Sequence, residues 1–112
     1  MAILRNAAEA IIDERKIRDY ALNMNSADGR HKARVIRAAT GLVRENYQQV
    51  IDQIRQAVIE SEAEPIESIP YGLRFHVAMT ISGPTGTLRI RTAWIYRSGE
   101  DVPRLVTLYP HP

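Results

Sequence analysis

Cysteine is missing from the 112-residue sequence, and this absence removes several chemistries at once. A disulfide framework, a thiolate nucleophile and a cysteine-based zinc site are all excluded. Long apolar runs are missing too: none approaches the roughly 18 residues that span a bilayer, and the first residues lack the apolar run of a signal peptide. We therefore expect a single soluble domain over residues 1–112 that lies in the cytoplasm, away from membranes.

Motifs for metal, nucleotide and sugar chemistry are also lacking. His31, His76 and His111 are far apart, and none has a partner at the i+3 or i+4 spacing of a helical ligand pair, so we predict no metal site. No glycine-rich loop follows a predicted strand, which excludes a P-loop or a dinucleotide-binding fold. The region 71–97 contains no acid, so hydrolysis of sugars by paired carboxylates is unsupported. We expect no cofactor.

Acidic residues are absent from residues 29–44, which contain five Lys or Arg side chains. The next stretch, residues 45–67, has six acids and one base, although the net charge of the whole chain is only +2. Thirteen of the fifteen basic residues are arginine, whose planar fork suits phosphate and carboxylate partners. The alternative, that these arginines are ordinary solvated surface charges, stays open for each of them.

A short helix with both ends marked carries this basic stretch. Ser26 or Asp28 can cap its start, and Gly41 suits a left-handed stop. Three arginines at spacings i, i+4 and i+7 form one cationic stripe, whereas a different side should face the body of the protein. The stripe consists of Arg30, Arg34 and Arg37. The side that should face inward consists of Lys32, Ile36 and Ala39.

Two further helices are predicted on either side of the basic one. A short helix lies near residues 13–21, where Asp13 can cap the start, and residues 1–10 are expected to fray. The clearest helix runs from Arg44 to Ala63, with apolar residues at three- and four-residue spacing. Its acidic end should fray or turn away, and residues 64–70, with two prolines, are predicted to be a linker.

After Pro70 the apolar residues alternate, which predicts two half-buried antiparallel strands joined by a turn at residues 82–86. Pairing positions whose numbers sum to 169 places apolar residues opposite each other on one face. The pairs are Leu73 with Tyr96, Phe75 with Trp94, Val77 with Thr92, Met79 with Ile90 and Ile81 with Leu88. The opposite face holds Arg74, His76, Thr80, Arg89 and Arg91.

A last strand is predicted over residues 104–109, after a turn at residues 98–103, and Pro110 ends it. Whether Thr107 and Tyr109 face the core or a cleft depends on one residue of register, and both alternatives remain open. The order of the elements predicts an α+β fold, in which N-terminal helices pack on a C-terminal antiparallel meander sheet of three to four strands.

With metal, nucleotide and sugar motifs absent, the remaining candidate groups are cationic and hydroxyl side chains. Such groups are sufficient for RNA cleavage without a metal. One group takes the 2′-OH proton, another protonates the leaving 5′ oxygen, and cations stabilise the charge on phosphorus. Histidine changes charge near neutral pH, so His31 is the candidate base or acid, and Lys32 can act as a point charge or as a base. The alternative is that His31 has no role and that Lys32 only lays its stem over the core.

Four stretches of the sequence carry a family resemblance: Lys16–Asn23, Gly29–Ile36, Arg91–Ile95 and Pro103–Tyr109. Together they resemble a bacterial family of uncharacterised small domains whose members often lie in toxin–antitoxin or polymorphic-toxin loci, and the match covers roughly residues 15–110. That family is similar to the barnase/EndoU/colicin/RelE ribonuclease-like fold. The resemblance implies one or two helices, then a curled sheet of about four strands with a metal-independent nuclease site in its cleft.

The function that the resemblance implies is a toxin-like endoribonuclease that cleaves RNA by transesterification. The predicted catalytic residues are His31, Lys32, Arg91, Arg104, Thr107 and Tyr109. The predicted substrate-binding residues are Arg34, His76 and Thr92. Many relatives carry His-Pro where this chain has Ser26 and Ala27, so either His31 substitutes for that histidine or activity is lost.

Two alternatives to an enzyme remain. In a noncatalytic interaction module, the acidic segment 45–67 and the basic segment 29–44 could pair two copies as a homodimer or dock a partner protein. A toxin also needs a cognate antitoxin or immunity protein, so a protein partner is expected on either view. Plain nucleic-acid binding through the arginines is the other alternative, and its affinity should fall steeply with salt.

Overall fold

The structure, a computed structural model, describes residues 2–111, which form helices followed by a sheet. The helical half contains a 3₁₀ turn (Ala7–Glu9), a π-helix (Ile17–Ala21), helix α1 (Arg30–Thr40), a 3₁₀ turn (Arg44–Asn46) and helix α2 (Tyr47–Val58). The sheet contains the strands β1 (Ala63–Ile69), β2 (Gly72–Gly83), β3 (Gly86–Arg97) and β4 (Arg104–Pro110). The predicted α+β fold is confirmed, and no helix among the described residues is long and apolar enough to cross a membrane.

The sheet is an antiparallel meander in which the four strands lie in chain order. The predicted register of β2 and β3 is confirmed at every predicted pair, from Leu73 with Tyr96 to Ile81 with Leu88. Burial specifies this register, because a shift by one residue would turn the apolar side chains of one of the two strands to the open face. The sheet therefore has one face toward the helices and one open face.

The core lies between the helices and one face of the sheet, where α2 packs on β2 and α1 on β3. Trp94 is fully buried at its centre, beside the equally buried Thr92. The Thr92 hydroxyl donates to the carbonyl of Val77 at 2.8 Å and accepts from Nε1 of Trp94 at 2.7 Å. The one hydroxyl thus satisfies two polar groups that burial would otherwise leave unpaired.

The predicted C-terminal end of the basic helix is confirmed in α1, whereas the predicted cap is not: Gly29 is the N-cap residue, and no side chain among the described residues caps the start of the helix. Gly41 follows α1 with φ 78°, in the left-handed region that favours glycine. At the start, Oγ of Ser26 accepts from the N–H of Gly29 at 3.0 Å. The short helix near residues 13–21 is present as a turn leading into the π-helix, and Oδ1 of Asp13 accepts from the N–H of Arg15 at 3.0 Å.

Strand β1 corrects the predicted end of the second helix. The apolar stripe predicts a helix to Ala63 and a linker over residues 64–70, but α2 ends at Val58 and Ala63–Ile69 pairs with β2. β1 is an edge strand, and an edge strand tolerates a proline such as Pro65 because one side of its backbone needs no partner. The prolines and glutamates hide the alternation that would have indicated a strand.

The N-terminal segment packs against the body of the domain, whereas the sequence predicts fraying over residues 1–10. The carbonyl of Ala2 accepts from the N–H of Ala63 at 2.7 Å, and the carbonyl of Arg5 accepts from the Tyr96 hydroxyl at 2.8 Å. Its buried side chains are those of Leu4, Ala7 and Ala10. These three side chains form part of the core and anchor the segment, and Met1 lies outside the described residues.

Candidate functional site

The open face of the sheet carries basic side chains from two neighbouring strands. Alternation along β2 and β3 places Arg74, His76, Arg89 and Arg91 on this face, as the predicted register requires. Tyr109 of β4 joins them because it pairs directly with Arg91. Three strands therefore contribute polar side chains to the same surface.

A hollow of about 590 Å³ lies on the open face, within the range of about 300–1,000 Å³ that is typical of small-ligand sites. We call it the imidazole hollow, after His76 and His111. Its other polar side chains are those of Arg89, Arg91, Ser61, Glu62 and Glu64. The hollow thus combines two guanidiniums of β3 with two imidazoles, and its carboxylates lie on the side of β1.

His76 is the half-buried base of this hollow. Its ring meets the ring of Tyr109 edge to face, with centroids 6.3 Å apart and an interplanar angle of 85°. Burial lowers the pKa of His76 below its ordinary value, the Arg91 guanidinium lowers it further, and Glu64, its cross-strand neighbour, opposes both. The imidazole is therefore held neutral near pH 7, with a lone pair that can accept a proton.

His111 reaches the imidazole hollow because the chain continues along β3 after β4 ends. Its N–H donates to the carbonyl of Arg89 at 2.9 Å. Nη2 of Arg91 lies 3.3 Å from Nε2 of His111, and a guanidinium can only donate, so Nε2 is the acceptor in this contact. The sequence prediction considered His111 only as a metal ligand, because Pro110 marks the end of the strand.

A bulge in β4 decides where its hydroxyls lie. Leu105 pairs with Trp94 and Thr107 with Ala93, which leaves Val106 without a pairing position. Beyond the bulge, Leu108 is buried and Tyr109 lies on the open face. Thr107 pairs with Ala93 and so belongs to the same face of the strand, and its Oγ1 accepts a hydrogen bond from Lys32 of α1.

Lys32 binds Thr107 at the edge of the sheet, away from the imidazole hollow. Its Nζ donates to the Tyr20 hydroxyl and to Oγ1 of Thr107, each at 3.0 Å. The same Nζ lies 4.6 Å from the centroid of the Tyr20 ring. These contacts tie α1 to β4 and to the π-helix, and none of them involves Arg91.

Arg104 is occupied by a carboxylate. Its Nε and Nη2 donate to the two oxygens of Glu100 at 2.9 and 2.8 Å, a bidentate pair. The hydrogen bond to Arg104 lowers the pKa of the Glu100 carboxyl, so the pair stays ionised at neutral pH. The fork that was predicted to hold phosphate is already filled.

The remaining predicted residues lie elsewhere. Thr92 is fully buried, and its hydroxyl is used by Val77 and Trp94, so it cannot reach a substrate from there. His31 and Arg34 are exposed on α1, which packs on the helix-facing side of the sheet. The structure thus brings together His76, Arg91 and Tyr109 but does not bring the whole predicted set into one pocket.

Residues that the sequence prediction missed complete the hollow, namely His111, Arg89 and Glu64. The confirmed register already placed Arg89 on the same face as Arg91, and that signal was available in the sequence. Glu64 depends on β1, which was predicted as linker. Within residues 2–111, no three His, Asp or Glu side chains are grouped so that they could hold a metal ion.

Fold and hollow together define a small α+β domain with a basic, histidine-containing site on the open face of an antiparallel sheet. The chain belongs to the family described as "Domain of unknown function (DUF6883)", whose model matches residues 3–112. No curated protein matches the chain.

Proposed function

We propose that this domain is a toxin-like endoribonuclease that cleaves RNA by transesterification in the imidazole hollow. The observation that supports the proposal is the meeting of His76 and His111 with Arg89 and Arg91 in one hollow. Two imidazoles can divide the roles of base and acid, and two guanidiniums can hold a phosphodiester. The family resemblance in the sequence gives the same activity, and the cytoplasm, where RNA is abundant, is its expected place of action.

In the proposed reaction, the neutral His76 takes the proton from the ribose 2′-OH. The 2′ oxygen then attacks phosphorus, and the bond from phosphorus to the 5′ oxygen breaks. A proton from the His111 imidazolium goes to the leaving 5′ oxygen. The products are a 2′,3′-cyclic phosphate and a free 5′-hydroxyl. His76 then gives its proton to water and His111 takes one up from water, so both histidines return to their starting states.

The guanidiniums stabilise the charge that develops on the phosphoryl oxygens. Arg89 contacts Oγ1 of Thr80 only at 3.5 Å, so most of its donors remain available. Arg91 contacts His111 in the unliganded site, and binding of a phosphate would take over this guanidinium. Nε2 of His111 is then free to take up a proton from water, and this is the proton that the leaving 5′ oxygen receives.

This proposal moves the role of base from His31 to His76. His31 is exposed on the other side of the sheet, whereas His76 is half-buried beside two guanidiniums and has a lowered pKa. Lys32 and Thr107 take a structural role in their contact between α1 and β4. Arg104 stays in its pair with Glu100.

The test is RNA cleavage by purified protein in EDTA, with wild type, His76→Gln and His31→Gln prepared in parallel. We expect wild type and His31→Gln to cleave alike and to leave 2′,3′-cyclic phosphate ends. We expect His76→Gln to be slower by about 100-fold or more, as for loss of a general base. RNA left intact by wild type, or equal cleavage by wild type and His76→Gln, would remove the proposal.

The arginine stripe on α1 supports a second candidate, a noncatalytic module that docks a protein. Arg30, Arg34 and Arg37 are all exposed and lie away from the imidazole hollow. An acidic surface, on a cognate antitoxin or immunity protein or on residues 45–67 of a second copy, would complement them. Expression of the domain alone separates the candidates, because a ribonuclease should arrest its host and a docking module should not.

A further inference from the structure

A second hollow lies on the same open face, at the opposite end of β3 from the imidazole hollow. Its volume is about 380 Å³. Its lining includes Lys16, Tyr71, Ile95, Arg97 and Arg104. We propose that this second hollow, the tyrosine subsite, binds one unpaired nucleotide of the same RNA strand. The inference rests on the proposed function, because it names the substrate as single-stranded RNA several nucleotides long.

Tyr71 has the features of a stacking platform. Its side chain is 67% exposed, more than any other large apolar side chain in the described part of the chain. Its backbone is nevertheless fixed, because its carbonyl accepts from the N–H of Ser98 at 3.0 Å and so ties the β1–β2 turn to the β3–β4 turn. An exposed ring on a fixed backbone contributes nothing to the core, but it can stack on a base of any identity.

The floor of the subsite is apolar and depends on a glycine. A Cβ on Gly72 would lie 2.7 Å from Cδ1 of Ile95 and 2.7 Å from the carbonyl oxygen of Tyr96. Glycine at this position therefore lets the Ile95 side chain lie across β2 beside Tyr71. The base would face an aliphatic surface on one side and an aromatic ring on the other.

Two cations remain for the phosphate of this nucleotide. Lys16 and Arg97 are both exposed, and neither forms an ion pair within residues 2–111. Arg104 neutralises Glu100 in a bidentate pair, so the charge of this acid is already balanced. The subsite thus combines a stacking surface with positive charge, which is the combination that single-stranded nucleic acid requires.

The distance between the two hollows sets the span that an RNA strand must cover to occupy both. Arg91 and Arg97 lie on the same face of β3, and six residues of strand span about 20 Å. An extended RNA strand could therefore run along β3 with its reacting phosphate at Arg91 and a base at Tyr71. A duplex would not fit this description, because its paired bases cannot stack on a protein side chain.

The test measures binding of noncleavable oligonucleotides and therefore does not depend on activity. Wild type, Tyr71→Ala, Tyr71→Phe and Leu73→Ala are titrated into fluorescent 2′-O-methyl RNA of two and of eight nucleotides, and anisotropy is followed. Leu73 is also exposed and adjacent, but it lies on the other face of β2, so Leu73→Ala is the matched control.

We expect Tyr71→Ala to weaken binding of the eight-nucleotide strand about tenfold and to leave the dinucleotide unchanged. Tyr71→Phe and Leu73→Ala should bind as wild type does. Equal affinities for Tyr71→Ala and wild type, or equal loss with both lengths, would overturn the subsite. An eight-base-pair duplex that binds as tightly as the single strand, with the same dependence on Tyr71, would also contradict it.

Failure of the subsite can be told apart from failure of the proposed function. If wild type does not cleave RNA but Tyr71→Ala selectively weakens the longer strand, only the nuclease assignment is lost. If wild type cleaves RNA and Tyr71→Ala binds both lengths as wild type does, only the subsite is lost. A wild type that binds neither length contradicts the subsite, whatever its cleavage result.

Discussion

His76 on β2 and Tyr109 on β4 meet edge to face across the strand that separates them, with ring centroids 6.3 Å apart. His76 pairs with Ala93 of β3 and Tyr109 pairs with Arg91 of β3, so the two rings meet diagonally across this strand. The contact depends on the β4 bulge, which sets the register that places Tyr109 on the open face. The position of the proposed base is therefore fixed by three strands, and not by its own strand alone.

Arg91→Gln should raise the pKa of His76. Burial and the Arg91 charge both disfavour the imidazolium, and Glu64 favours it, while Arg74 and His111 add smaller unfavourable contributions. Removing one cation therefore moves the pKa upward, although burial still acts. An NMR titration of the His76 ring protons measures this directly, and in the enzyme the acid limb of kcat/KM should move to higher pH. A midpoint unchanged from wild type, or shifted as much by the exposed variant Arg34→Gln, would contradict the assigned contact.

Thr92→Val should destabilise the fold by about 2–4 kcal/mol, although valine has nearly the same shape. The substitution leaves Nε1 of Trp94 and the Val77 carbonyl without the hydroxyl that satisfies them, and buried unpaired groups carry most of the cost. Thr92→Ser is the matched control, because it keeps the hydroxyl and should cost only about 1 kcal/mol. Urea unfolding gives both values, and equal losses in the two variants would show that the hydroxyl has no such role.

The central hairpin of β2 and β3 could be predicted from the sequence because the pattern that indicates it lies in neighbouring residues and is repeated at every pair. β2 and β3 alternate over long stretches and are joined by a short turn, so one register satisfies all pairs from Leu73 to Ile81. The end of helix α1 was also predictable, since Gly41 follows it in the left-handed backbone conformation, which glycine adopts more readily than any other residue. These elements place four basic residues on one open face without any long-range information.

The site itself depended on information that is not local. The bulge at Val106 sets the register of the residues that follow it, and it places both Thr107 and Tyr109 on the open face. Strand β1 was hidden because Pro65 and its neighbouring glutamates belong to an edge that is paired on one side only. The pairing of Arg104 with Glu100 likewise depends on the conformation of the turn between β3 and β4. Residue chemistry alone therefore identified candidate site residues, but only the tertiary structure shows which of them lie together.

Asp19→Asn should make the stability of the domain less dependent on pH in the acid range. Asp19 accepts hydrogen bonds from Arg18 at 3.0 and 2.9 Å and from Arg44 at 2.7 Å, and these bonds hold its pKa well below the ordinary 3.8. Because the folded pKa is lowered, its stabilisation is present above the unfolded value and is lost as the pH falls below it. The difference in unfolding free energy between wild type and variant should therefore shrink from about pH 4 to pH 2.

Urea unfolding across that range tests the prediction for Asp19, with Asp28→Asn as the control. Asp28 is exposed in the loop before α1 and forms no ion pair within residues 2–111. Its variant should follow wild type at every pH. A constant difference between wild type and Asp19→Asn would mean that the ion pairs with Arg18 and Arg44 do not link folding to this carboxylate.

Lys32→Met should lower stability and leave RNA cleavage nearly unchanged. Methionine keeps the length of the stem over the core but loses the two hydrogen bonds to Tyr20 and Thr107, which together are worth about 1–2 kcal/mol. Arg34→Met, on the same helix and exposed, is the control and should unfold as wild type does. If Lys32→Met instead unfolds like wild type and loses cleavage by about 100-fold, as expected for a lost catalytic group, then Lys32 acts on the substrate. The reacting phosphate would in that case lie at the edge of β4, beside Thr107, and the imidazole hollow would have to be only a binding surface.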